Sequence, residues 1–158
     1  MASTSTLPVR SQSVGSQSNS QSRSIPHEVA APVVLLGRFF FALIFILAGA
    51  NHFATQTIAY AASQGVPLAP IAVPFSGVLA IAGGLSILLG YRAKIGAWLL
   101  VLFLAGVTPM LHNFWAVTDP MMRQMQMVMF MKNASMLGGA LLVTQFGAGP
   151  WSLDARRR

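Results

Sequence analysis

Lys132 is the residue whose type and place make the strongest chemical demand. It lies in an apolar run from Met121 to about Phe146, about eleven residues and so roughly 16 Å from the start at 1.5 Å per helical residue. A lysine at that depth costs on the order of 3 kcal/mol even on lenient membrane-insertion scales. No acid lies inside any apolar run of the chain. The ammonium must therefore lose its proton, find carbonyls or amides such as that of Asn133, or meet an anionic or carbonyl-rich ligand. Both a lysine satisfied by the protein and a lysine that holds a ligand fit this demand. His52 and His112 close two other apolar runs, near helix C-termini, where the dipole favours an imidazolium. Alone, each reads as an interfacial histidine. With Asn51, Asn113 and Trp115 at the same end, they could line the mouth of a polar pocket. The ligand-binding candidates are thus Lys132, Asn133, His52, His112, Asn51 and Trp115.

Other chemistries are narrowed by what the chain contains. There is no cysteine, so disulfides, thiolate nucleophiles, iron–sulfur clusters and Cys-ligated zinc are excluded. The acids are Glu28, Asp119 and Asp154, which excludes paired-carboxylate catalysis within the apolar runs. There is no GxGxxG, P-loop or HExxH motif. Met121, Met125 and Met129 share one helical face, and thioethers suit Cu(I). Met127 and Met131 point elsewhere, so the methionines read better as flexible gap-fillers. No metal is expected.

The elements that must position these residues follow from composition. Of the 158 residues, 54% are hydrophobic and 8% charged, against about a quarter charged in soluble domains. Mean hydropathy is +0.63. Four apolar stretches, at about 33–53, 71–90, 94–115 and 121–146, can each cross roughly 30 Å of hydrocarbon. In lipid each must satisfy its own backbone groups and so is helical. Short connections make successive spans antiparallel. The expected fold is all-α, an integral membrane four-helix up-down-up-down bundle. Ser76, Ala80 and Gly84 on one face, and Ser135 and Gly139 on another, allow close backbone approach.

The spans occupy a transmembrane domain at 32–154. Residues 1–31 are Ser/Gln-rich without a recurring apolar face and are expected to be a disordered cytoplasmic tail, and residues 155–158 a basic C-terminal tail. The net charge of +7 reads as a topology signal and not as a nucleic-acid footprint. With the N-terminus inside, Arg10, Arg23, Arg92, Lys94 and Arg156 to Arg158 fall on the cytoplasmic side, against Arg123 outside. Arg38 is expected to snorkel to the same headgroups, and Arg38, Arg92, Lys94 and Arg156 act as topology anchors. The first and third spans both end in His and Asn near the outer face, and the second and fourth both carry Gly-Gly, a weak two-hairpin repeat.

Several blocks resemble the DoxX family of small bacterial membrane proteins, which includes relatives of the small subunit of thiosulfate:quinone oxidoreductase. These are Leu36-Gly37-Arg38, Gly49 with His52-Phe53, Gly83-Gly84 with Leu88-Leu89-Gly90, and His112-Asn113-Phe114-Trp115. Phe130-Met131-Lys132-Asn133 before Gly138-Gly139, and Gly147-Ala148-Gly149 before Ser152-Leu153-Asp154, complete the set. Many members carry a glutamate where this chain has Ala80; if that carboxylate accompanies the fourth-helix lysine in the family, Lys132 lacks its partner here.

The resemblance implies a bacterial inner-membrane protein associated with quinone-linked or sulfur redox systems. The leading expectation is an accessory subunit of an oxidoreductase complex. It would provide a quinone-like pocket without a covalent cofactor or redox centre of its own. Its partners would be the lipid bilayer, a peripheral redox protein and further copies of itself. A non-enzymatic carrier for a small anion, and a purely structural membrane anchor, are the alternatives.

Overall fold

A computed structural model describes residues 27–157, with the side chains of 31–156. The N-terminal stretch expected to be disordered lies outside the described residues up to position 26. Its last residues are helical, because α1 opens at His27 and runs to Asn51. Next come α2 (Thr55–Ser63), α3 (Ala69–Leu89), α4 (Ala93–Leu111) and α5 (Pro120–Phe146), with single 3₁₀ turns at Phe114–Ala116 and Ala155–Arg157. Helical segments at Ala31–Asn51, Ala69–Leu89, Ala93–Ala116 and Pro120–Phe146 are long and apolar enough to cross a membrane. The four-helix all-α architecture read from the sequence is therefore present.

Two boundaries depart from that reading. The link at 55–70, expected to be a plain connection, contains α2. Its alanine-rich turns stop where Gly65 takes a positive φ of 81° and Val66 N–H returns to the Ala61 carbonyl, a common helix ending. Ala61 is buried with Ala69 and Val73, so this short helix sits against the start of α3. The third span is also not one continuous helix: α4 stops at Leu111 and the 3₁₀ turn at Phe114–Ala116 follows within the same segment.

Glycine sets the packing. A Cβ added at Gly77 would lie 2.7 Å from the Gly49 carbonyl oxygen, and one at Gly84 3.2 Å from that of Ala42. α1 and α3 thus run antiparallel with backbones touching. At the next seam a Cβ on Gly83 would lie 2.8 Å from the Gly96 carbonyl oxygen, which closes α3 on α4. Where lipid supplies no hydrophobic drive, this close approach is what holds helices together. α4 in turn packs on α5. Phe45, Ile87, Leu100 and Leu104 form the fully buried centre.

α1 and α5 are not among the closely packed pairs. Side chains bridge them instead: the Phe41 ring lies against Gly139, and Arg38 reaches the loop after α5. Arg38 is 6% exposed, and its guanidinium donates to the Ala148 carbonyl at 3.2 Å and the Trp151 carbonyl at 2.9 Å. Its guanidinium is thus covered by protein and held by loop carbonyls, beside the Gly90 turn. Asp154 completes the fastening, accepting from Arg92 N–H at 2.8 Å and Ala93 N–H at 3.0 Å. A carboxylate there satisfies the orphan amides at the start of α4. Both described ends of the chain consequently lie at one end of the bundle.

The methionines also differ from expectation. Met121, Met122, Met125, Met127 and Met131 are exposed on α5, with Met121 79% exposed, and Met136 alone of the run packs against the core. They form an outward face and do not fill gaps. α5 has one closely packed helical neighbour, so most of its circumference faces outward.

Candidate functional site

The loose α1–α5 seam holds a cavity of about 160 Å3, lined by His52, His112, Lys132 and Asn133 among apolar residues of α1, α4 and α5. These four polar candidates come from three separate places in the sequence. α5 places Lys132 near its middle, while His52 and His112 lie just beyond the ends of α1 and α4. The seam is open at this level, because Lys132 is exposed beside buried Asn133.

Each polar group keeps hydrogen-bonding capacity in reserve. The Lys132 ammonium meets Met129 Sδ at 3.4 Å, and a thioether is a weak acceptor. Asn133 is 7% exposed, and among the described residues its side-chain amide has no hydrogen-bond partner. His52 Nδ1 lies 2.8 Å from Ser76 Oγ. The Ser76 hydroxyl already donates to the Val73 carbonyl at 2.7 Å, so Nδ1–H is assigned as the donor to Ser76. His112 Nδ1–H is likewise assigned to Gln126 Oε1 at 2.8 Å. The His52 ring also meets the Val73 backbone, and His112 Nε2 has no partner among the described residues. An anion or carbonyl could take N–H groups from Lys132 and Asn133, and a hydroxyl could donate to an imidazole nitrogen.

The other two candidates lie elsewhere. Asn51 is exposed and lines none of the described cavities. Trp115 joins Phe114 and Phe130 in an edge-to-face cluster, with centroids 5.2–5.9 Å apart. There it packs the 3₁₀ turn onto α5.

The sequence reading missed the groups that orient the histidines. Gln126 holds His112, and its amide nitrogen also reaches the Tyr60 hydroxyl at 3.4 Å, tying α2 to α5. Its position seven residues before Asn133 places both on one helical face, a signal that was available. Ser76 was counted as a small residue for close packing, whereas its hydroxyl positions His52. The two-hairpin repeat thereby gains a feature: each histidine at a helix end is held through Nδ1 by a polar side chain of the next long helix. A second cavity of about 150 Å3, between α3 and α4, also reaches His52, so the ring stands between two spaces. Among the described residues no three His, Asp or Glu side chains come together as a metal site would require.

A four-helix membrane bundle with a polar cavity in one open seam is the class of protein these features define. The model of the SURF4 family matches residues 72–158, and the chain belongs to that family. It is 32% identical over 130 residues to the inner membrane protein YphA of Escherichia coli, covering 80% of this chain and 92% of that one. To the inner membrane protein YqjF of the same organism it is 33% identical over 125 residues, covering 77% and 88%. It is also 34% identical over 84 residues to the ER-derived vesicles protein ERV29 of Saccharomyces cerevisiae, covering 53% of this chain and 27% of that larger protein. No solved structure matches. The resemblance to the DoxX family is thereby corrected: the shared blocks are largely packing glycines and helix-end groups, which many small bundles need. The redox association implied by that resemblance loses its basis.

Proposed function

We propose that this membrane protein of the SURF4 family binds a small amphiphile with an anionic or carbonyl-bearing group, received sideways from the bilayer through the α1–α5 seam. The observation that carries this reading is the pair on α5: an Asn133 whose side-chain amide has no partner among the described residues, next to a Lys132 ammonium that meets a thioether. A protein-only role for that lysine would call for carbonyls or amides around it, and its contact is Met129. Gln126 and Ser76 hold the histidines at the outer end of the same space, where they can take a proton or hydrogen bond from the bound group.

This is the non-enzymatic carrier reading, widened from a free anion to an amphiphile because the cavity opens through a membrane-facing seam. A quinone, with two carbonyls, is the alternative occupant. The bundle is placed in a bacterial inner membrane with both termini cytoplasmic. Support comes from the relatives' inner-membrane location and, among the described residues, from Arg92, Lys94, Arg156 and Arg157 at the terminal end of the bundle.

Ligand-induced thermal stabilisation of the purified full chain tests the reading, since a ligand that binds the native state raises its stability by mass action. Oleate should raise the unfolding temperature of the wild type and leave Asn133→Leu unmoved. A short-chain ubiquinone analogue acting in place of oleate would identify a quinone site instead. Equal stabilisation of both proteins by either probe would overturn the assignment.

A further inference from the structure

A second site lies at the opposite end of the bundle. The loop after α5 folds back over the start of α4 and leaves a cleft of about 550 Å3 between them. Arg92 and Lys94 stand in its wall on the α4 side, and Ile95 and Phe146 line it further in. The cleft has a fixed shape. Its loop is held by Arg38 on the Ala148 and Trp151 carbonyls, by Asp154 on the α4 amides, and by Asp154 N–H on the Gly90 carbonyl at 2.8 Å. A Cβ on Gly90 would run into Ser152 and Arg38, so the close fit of loop against turn depends on that glycine.

Charge and depth together identify what fits. Asp154 is the acid that lines the cleft, and both its oxygens accept from backbone amides. One lining carboxylate set against Arg92 and Lys94 leaves an excess of positive charge there. Leu89, Ala93 and Phe146 are the terminal residues of their membrane-crossing segments, so Arg92 and Lys94 lie at headgroup level. Phe146, 80% exposed, with exposed Ile95 and Trp98, presents apolar surface beside them. A phosphate at the rim and an acyl chain along that surface satisfy both halves. We infer that this cleft is a binding site for an anionic phospholipid, its phosphate held by Arg92 and Lys94. It is separate from the seam cavity and independent of that cavity's occupant.

The test is native mass spectrometry of delipidated full-length protein, titrated with phosphatidylglycerol or with phosphatidylcholine of matched acyl chains. A basic group near a membrane surface contributes about fivefold to the attraction of an anionic lipid. Arg92→Gln combined with Lys94→Gln should therefore weaken the first phosphatidylglycerol by roughly twenty-fivefold and leave phosphatidylcholine unchanged. Lys94→Gln alone should lose about fivefold, which keeps the test decisive if the double variant does not fold. The pair Arg92→Lys and Lys94→Arg should bind as the wild type does. Lys132→Met, which alters the seam cavity, should also bind phosphatidylglycerol normally. Three results would overturn the inference: unchanged affinity in the glutamine variants, no preference for phosphatidylglycerol in the wild type, or displacement of the lipid by inorganic phosphate at matched concentration. The last would make free phosphate the ligand.

Discussion

The seam between α1 and α3 and the seam between α1 and α5 are built on opposite principles. In the first, glycine faces glycine, and a Cβ at Gly77 would lie 2.7 Å from a backbone oxygen. In the second, the helices stand apart, bridged by the Phe41 ring and the Arg38 guanidinium, and the space between them holds polar groups. A bilayer gives helices little reason to associate apart from packing and hydrogen bonds. The glycine seams therefore supply the rigidity, and the loose seam can remain open enough to admit a ligand. The polar candidates Lys132, Asn133, His52 and His112 sit where the packing is weakest.

The contrast can be broken most severely at the tight seam. Gly77→Leu pushes a side chain into the Gly49 carbonyl and the base of His52, neither of which can move alone. It should destabilise the bundle by about 3 kcal/mol, the upper end for overpacking a close-packed interior. Gly138→Leu on α5, where a Cβ meets nothing within 4 Å, should stay within about 0.5 kcal/mol, as for a surface change. Equilibrium unfolding in mixed micelles measures both. Similar losses for the two would remove the distinction between the seams.

Next in size is the fastening between the end of the chain and the α3–α4 turn. Asp154→Ala exposes the Arg92 and Ala93 amides and should cost about 1–2 kcal/mol, the range for losing a helix cap. Proteolysis within 147–155 should accelerate at the same time. A variant with wild-type stability and proteolysis would show that the Asp154 carboxylate does not hold the loop.

The finest distinction lies within the loose seam. A Cβ at Gly139 would come 2.9 Å from a Phe41 ring atom and no nearer than 3.6 Å to any other. An aromatic ring can turn where a backbone carbonyl cannot, so Gly139→Ala should cost less than about 1 kcal/mol. Gly49→Ala, facing the Gly77 carbonyl oxygen at 2.9 Å, should cost clearly more. A reversed order would mean that the α1–α5 seam is the rigid one.

What the sequence disclosed divides along the same line. The spans were legible because apolar run length is a local property, and Lys132 stood out because depth follows from counting along a helix. His52 and His112 were found by their places at helix ends. The partners of Arg38 are not legible in the sequence, because they are carbonyls 110 and 113 residues away, and no local pattern encodes a contact at that separation. Asp154 fell to the same difficulty, since the helix it caps begins 61 residues earlier. α2 is hidden for another reason: an uncharged link with two prolines reads as a plain connection, although the run closing at Gly65 carries a helix ending. The family was misassigned because the matched blocks were dominated by residues such as Gly83, Gly84 and Gly90, whose work is close packing or turning.

The central claim is that Lys132 holds a ligand in the open seam, and occupancy in a single variant tests it most directly. Lys132→Met keeps length and apolar bulk while removing a charge that costs on the order of 3 kcal/mol in the membrane interior. Native mass spectrometry of the gently solubilised full chain should show a bound amphiphile on the wild type. The variant should lack it, with thermal stability equal to or above that of the ligand-free wild type. The same bound mass at the same occupancy on Lys132→Met would contradict the account.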